Sequence, residues 1–182
     1  MSKSAADRII DHLGPTLALQ RRKRFRRDTV LIVDGTLVPT RDHSIAEQST
    51  SYRYSTDHQV VIDADTRLVV AVGRPLPGNR NDRKAWELSG AKDAVGKTTV
   101  IADGATGPPA WSSRTAARRA RPNSRPGRRN TKASHRKARA RVEHVFTRMK
   151  SRKSLRDCRL KGDGVHHAML ATARLHNLVL AG

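Results

Sequence analysis

The sequence is poor in aromatic residues, in acidic residues and in cysteine, and each shortage removes a class of protein. Only 3% of its 182 residues are Phe, Trp or Tyr, too few for a sheet that reads RNA by stacking bases on exposed rings. A single cysteine, Cys158, excludes a disulfide framework and any cysteine-based zinc cluster. No apolar run is longer than Leu68–Val72, far short of the roughly 18 residues that a membrane span needs. Asp7 and Asp11 interrupt the first residues, so no signal peptide is expected and the chain reads as soluble and intracellular. Asp and Glu number 16 against 37 Lys and Arg, giving a net charge of +21 and a pI near 11.6. That imbalance argues against a small-molecule enzyme with a neutral surface and for a polyanionic partner.

The positive charge is concentrated. Twelve basic residues and no acid lie between Gly104 and Val142, and from Gly104 to Arg141 Trp111 is the only large apolar side chain. Such a stretch cannot bury enough apolar surface to offset its ordering entropy, so a disordered basic segment is expected over 104–141. A second block, Arg21-Arg22-Lys23-Arg24-Phe25-Arg26-Arg27, precedes the first apolar run. Taken alone, both blocks read as nonspecific phosphate contacts.

Between the blocks the pattern is that of an α/β domain with a mixed sheet. Ala5–Leu19 shows a short helical pattern (Ile9, Ile10, Leu13) that should stop near Gly14-Pro15. Thr29–Val33 reads as a buried strand closed by a turn at Asp34-Gly35, with Thr36–Thr56 polar and irregular. His58–Asp63 and Thr66–Val72 should form a hairpin around Asp63-Ala64-Asp65. A Pro/Gly loop follows, then a helix capped by Asn81 or Asp82 and running to about Gly90. Thr98–Ala102 is another short strand, Lys137–Lys150 a helix with Val142, Phe146 and Met149 on one face, and Val165–Leu180 a last helix.

Three carboxylates stand out in this frame. Leu31-Ile32-Val33-Asp34-Gly35 and Val100-Ile101-Ala102-Asp103-Gly104 each deliver an acid from an apolar strand, and neighbouring strands would bring the two together. Glu143 borders the apolar face of its helix and can point back towards them. Three acids among so many cations suit a divalent-metal site for phosphoryl transfer. Spacing alone leaves a plainer alternative open: Asp-Gly is a common turn, and Glu143 could simply pair with Arg136 or Arg139.

These segments, with Arg141-Val142-Glu143-His144-Val145-Phe146-Thr147-Arg148-Met149-Lys150, resemble the signature segments of the DDE transposases of bacterial insertion sequences, in the group related to the Harbinger elements. Pro75–Asp82 resembles that family's strand-to-helix turn, and the stretch ending Gln59-Val60-Val61-Ile62-Asp63 its second strand. The resemblance implies a ribonuclease-H-like fold for a catalytic domain over 28–182, with residues 1–27 a basic remnant of an upstream region. It implies that Asp34, Asp103 and Glu143 are the catalytic acids and hold two Mg²⁺ (or Mn²⁺) ions roughly 3.5–4 Å apart. The expected activity is endonucleolytic cleavage of insertion-sequence ends and their transfer to target DNA, in the cytoplasm at the nucleoid, by a homo-oligomer. Arg136, Arg139, Arg148, Lys150 and Lys153 are the expected DNA contacts. Asp82 is read as a helix cap rather than a ligand, His144 as a DNA or packing contact, and His166, His167 and His176 as structural.

Two departures from the family bear on activity. Relatives usually carry Gly-Tyr and then an apolar strand after the second acid, whereas this chain reads Asp103-Gly104-Ala105-Thr106-Gly107-Pro108-Pro109. The composition that follows suggests translation out of frame over about 104–133. Relatives also carry an upstream helical DNA-binding region, of which residues 1–20 resemble at most the tail. An inactive remnant, a noncatalytic basic nucleic-acid-binding protein and a structure-selective nuclease of the same fold are the competing readings.

Overall fold

The computed structural model describes residues 3–22, 24–102, 140 and 142–182. The stretch expected to be disordered, 104–141, falls outside them except for Ala140, as do Asp103, Arg136 and Arg139. In chain order the elements are α1 (Lys3–Leu17), β1 (Val30–Pro39), β2 (Ser55–Asp63), β3 (Val69–Val72), β4 (Leu76–Pro77), α2 (Asp82–Leu88), α3 (Ala91–Val95) and β5 (Thr99–Ala102). There follow α4 (142–150), α5 (Lys153–Arg156) and α6 (Gly164–Ala181). No helix among the described residues is long and apolar enough to cross a membrane.

The sheet is mixed, as the ribonuclease-H-like reading requires. Its order is β3-β2-β1-β5, with the two-residue β4 also on β2. β1 runs antiparallel to β2 and parallel to β5, and β3 and β4 are antiparallel to β2. The β2–β3 hairpin turns at Asp63-Ala64-Asp65, as its turn residues predict; Asp63 Oδ1 accepts from the amides of Asp65 and Thr66 at 3.0 and 3.2 Å.

Side-chain alternation along β1 sorts the core into two layers. Ile32 and Val38, with Val60 and Ile62 of β2, pack under Val142, Val145 and Met149 of α4, Leu155 of α5 and Val165, Met169 and Ala173 of α6. Leu31 and Val33, with Val61 and Val100, pack on the other face against Trp86 of α2 and Ala91 and Val95 of α3. β2 has strands on both edges and helices over both faces, so every one of its residues is buried, including Asp57, His58 and Gln59.

Three local expectations are corrected. The turn at Asp34-Gly35 does not form: β1 continues through it to Pro39, because a ladder from Leu31↔Asp63 to Pro39↔Ser55 holds the whole run extended. Asp34 therefore sits in mid-strand and not at a strand end. α1 does not stop at Gly14-Pro15 but reaches Leu17 with Pro15 inside. Proline there forfeits a backbone bond in the last turn, and α6 secures the exit, accepting Leu19 N–H at Leu170 O (3.2 Å) and donating from Arg174 to the Thr16 carbonyl. The helix after Asn81 ends at Leu88, and α3 begins again beyond Gly90, whose φ of 74° suits glycine.

The basic block before β1 is anchored in part. Arg22 pairs with Asp63 at 3.2 Å, Arg21 donates to the Asp93 carbonyl, and Phe25 packs on the α2–α3 layer.

Candidate active site

Asp34 is half-buried and lies on β1 between Ile32 and Thr36, so alternation turns it towards the α4 layer. On one side its ladder partner is Val60. On the other, the pairing with β5 reaches Val33↔Ala102, and Asp103 follows Ala102 directly in the chain. The carboxylate is aimed by its own neighbour: Gly35 N–H donates to Asp34 Oδ1 at 2.8 Å.

α4 carries two further candidate residues. Val142, Val145 and Met149 are buried against the sheet, which leaves Glu143 on the exposed side and Lys150 half-buried at the helix end. Burial lowers the pKa of the Lys150 ammonium, and the Asp34 carboxylate partly restores it. Lys150, expected only as a DNA contact, thus lies within electrostatic range of Asp34. Glu143 and Lys150 are seven residues apart and share a helix face about 10 Å long. The Glu143 carboxylate makes no ion pair among the described residues, although its backbone carbonyl accepts from Thr147 Oγ1 at 2.8 Å. Both described acids offer the hard oxygen donors that Mg²⁺ and Mn²⁺ take, so this donor set fits a divalent cation. Arg148 and Lys153 are exposed, as a phosphate contact requires.

The remaining polar residues have other settings. Asn81, not Asp82, caps α2, its Oδ1 accepting from Lys84 N–H at 3.1 Å. Asp82 instead turns Oδ1 towards Gly35, on the face of β1 away from α4. His176 meets the Arg67 carbonyl at 3.3 Å, and His166 lies parallel to the fully buried His58 with 6.5 Å between ring centres. Burial depresses His58 to about 3 and His166 to about 4, which keeps both neutral. His144 is exposed. Among the described residues no three His, Cys, Asp or Glu side chains form a closed metal cluster; Asp103 is outside that set.

Reasoning from the sequence missed Asp57 and Gln59. Asp57 is 4% exposed and Gln59 2%, and Gln59 Nε2 donates to Asp57 Oδ2 at 3.3 Å. Burial above all, and then Asp82, push Asp57 up to about 6 against the pull of the Gln59 hydrogen bond. The only sequence signal was two polar residues at alternate positions ahead of Val60-Val61-Ile62.

Comparison with known proteins bears on the family of the whole chain. Residues 25–178 match the family model described as Transposase DDE domain. A relative from Streptomyces albus G, named as a transposase for insertion sequence element IS112, is 70% identical over 184 aligned positions, covering all of this chain and 71% of its own length. No solved structure matches the chain.

Proposed function

From the premise that this chain belongs to the DDE transposase family, a family of endonucleases that carry out DNA transposition, we propose that Asp34, Asp103 and Glu143 are its catalytic acids and that its substrates are the ends of an insertion sequence like that of its Streptomyces relative. The observation that carries the reading is the setting of Asp34. It is a half-buried carboxylate aimed by the Gly35 amide, on the face covered by the helix that bears Glu143, and within electrostatic range of Lys150.

Two divalent cations held by the three acids would polarise the scissile phosphate and lower the pKa of the attacking hydroxyl. The chain's own residues do the rest. Gly35 N–H donates to one oxygen of Asp34 and so fixes the aim of the carboxylate. Lys150, half-buried within electrostatic range of Asp34, offers an ammonium to a phosphate oxygen. Arg148 and Lys153, exposed on and just past α4, hold the DNA backbone across the site, with Arg136 and Arg139 as further contacts. Water as nucleophile breaks the phosphodiester and frees a DNA 3′-hydroxyl; that hydroxyl then attacks a phosphate of the target, forming one phosphodiester as another is broken. The active species is a homo-oligomer working at the nucleoid.

The test is incubation of the chain with duplex DNA carrying the element's terminal repeats, with Mg²⁺ or with EDTA. Mg²⁺-dependent nicking followed by joining to target DNA is expected, and loss of both in Glu143→Gln. Cleavage of branched DNA without joining would favour a structure-selective nuclease, and binding without any cleavage a noncatalytic DNA-binding protein.

A further inference from the structure

Gly35 is held from behind by side chains that the reaction does not use. Its φ is not in the left-handed range, so its backbone conformation is open to any residue. Space is what demands glycine here. A Cβ on Gly35 would lie 2.9 Å from Asp82 Oδ1, 2.9 Å from Gln59 Nε2 and 3.2 Å from Asp57 Oδ1. Gln59 is also the ladder partner of Gly35 across the β1–β2 pair. Three polar side chains from two elements therefore close on the Cα whose amide, directed to Asp34, holds that carboxylate at 2.8 Å.

We infer that Asp57, Gln59 and Asp82 are positioning residues: a polar cradle against the back of β1 that fixes the peptide between Asp34 and Gly35, and through the Gly35 N–H the aim of the Asp34 carboxylate. The inference rests on the reading of Asp34 as a metal ligand. Its internal order is consistent with this work. Asp57 and Gln59 are both buried and bonded to each other, which leaves few alternative rotamers. Asp82 is free for the cradle because Asn81 serves as the cap. Burial first, and then the neighbouring Asp82 carboxylate, raises the Asp57 carboxyl, in keeping with two acids held close behind the strand. Their hold on Gly35 is steric: the three side chains, two of them locked to each other, leave the strand no room to shift at that residue.

Metal binding in the absence of DNA tests this, read as Mn²⁺ affinity by the paramagnetic resonance of free Mn²⁺, with thermal melting of each metal-free variant beside it. Gly35→Ala, Asp57→Ala and Asp82→Ala should each weaken Mn²⁺ binding, by roughly 10–100-fold for the first and towards the low end of that range for the others, as loss of groups that orient a ligand does. Asp57→Asn keeps the shape and the bond to Gln59 and should rescue affinity to within about twofold. Asp82 is exposed at a helix start, so Asp82→Ala folds and decides the matter even if Gly35→Ala does not. Asp34→Asn separates the two levels. If it binds Mn²⁺ as the wild type does, the metal reading fails and the inference falls with it. If Asp34→Asn loses binding while the Ala variants keep wild-type affinity and merely melt lower, the cradle is only structural and the inference alone is overturned.

Discussion

Asp34 and Asp57 stand on neighbouring strands and face opposite sides of one sheet. Asp34 is half-buried, lies within electrostatic range of Lys150 and takes a hydrogen bond from a backbone amide. Asp57 is 4% exposed, takes its hydrogen bond from an amide side chain and has another acid for a neighbour. The first arrangement leaves the carboxylate half-buried, with its aim set by the backbone. The second penalises ionisation and seals the group in. Surroundings, not residue type, decide which acid can do chemistry and which can only hold a shape.

The largest effect that would sharpen this contrast comes from the packing that brings α4 over Asp34. Met149 is 1% exposed in that layer, and Met149→Ala should cost about 2–5 kcal/mol in a denaturant melt. A loss below about 1 kcal/mol would mean that α4 is not held as described.

Next is the pH dependence of the sealed face. Asp57 is raised from 3.8 to about 6, so the stability it contributes is complete below pH 3.8 and is lost as the pH rises through about 6. Asp57→Asn should accordingly be more stable than the wild type at pH 8, by on the order of 2 kcal/mol, with the gap closing by pH 4. A constant gap across that range would show that Asp57 is not penalised by burial.

The histidines run the other way. His58 and His166 are depressed from 6.5 to about 3 and about 4, so their contribution is complete above pH 6.5 and drains away as the pH falls towards 4. Between pH 6 and 4 they oppose Asp57. Asp57→Asn should therefore lose stability on acidification more steeply than the wild type, and urea melts at half-unit steps would reveal it.

The smallest effects belong to ion pairs at the surface. Arg22–Asp63 has one partner 9% exposed, whereas Arg26–Asp28 has partners 87% and 69% exposed. Arg22→Ala should cost about 1 kcal/mol and Arg26→Ala less than about 0.5 kcal/mol. Equal costs would remove burial as the distinguishing variable.

Much of this architecture was legible in the residues. Leu31-Ile32-Val33 and Val60-Val61-Ile62 announce central strands, the Asp63–Asp65 turn announces the hairpin, and Val142, Phe146 and Met149 announce the face of α4. Where local chemistry and long-range pairing disagreed, pairing won. Asp34-Gly35 has the composition of a turn, yet the β1–β2 ladder draws it into a strand, and Gly14-Pro15 stays helical because α1 rests on α6. Asp34 itself was found by motif and order, but its setting was not. That Lys150 falls within electrostatic range of Asp34, and that Asp57, Gln59 and Asp82 gather behind Gly35, depends on packing between residues far apart in the chain. No periodicity within one segment records such packing. The short α3 and α5 were missed for a related reason: four or five residues hold too little of a helical period to show.

The central claim is that Asp34 is a reacting-site carboxylate, and it is tested most directly by comparing Mg²⁺-dependent nicking of element-end DNA by the wild type and by Asp34→Asn, with DNA affinity measured on the same preparations. Asparagine keeps the size and the bond from Gly35 but not the charge. Nicking should fall by about a thousandfold or more while DNA affinity stays within about twofold, because the variant loses an interaction made with the reacting groups and not with the DNA backbone. An Asp34→Asn protein that nicks at the wild-type rate would contradict the claim outright.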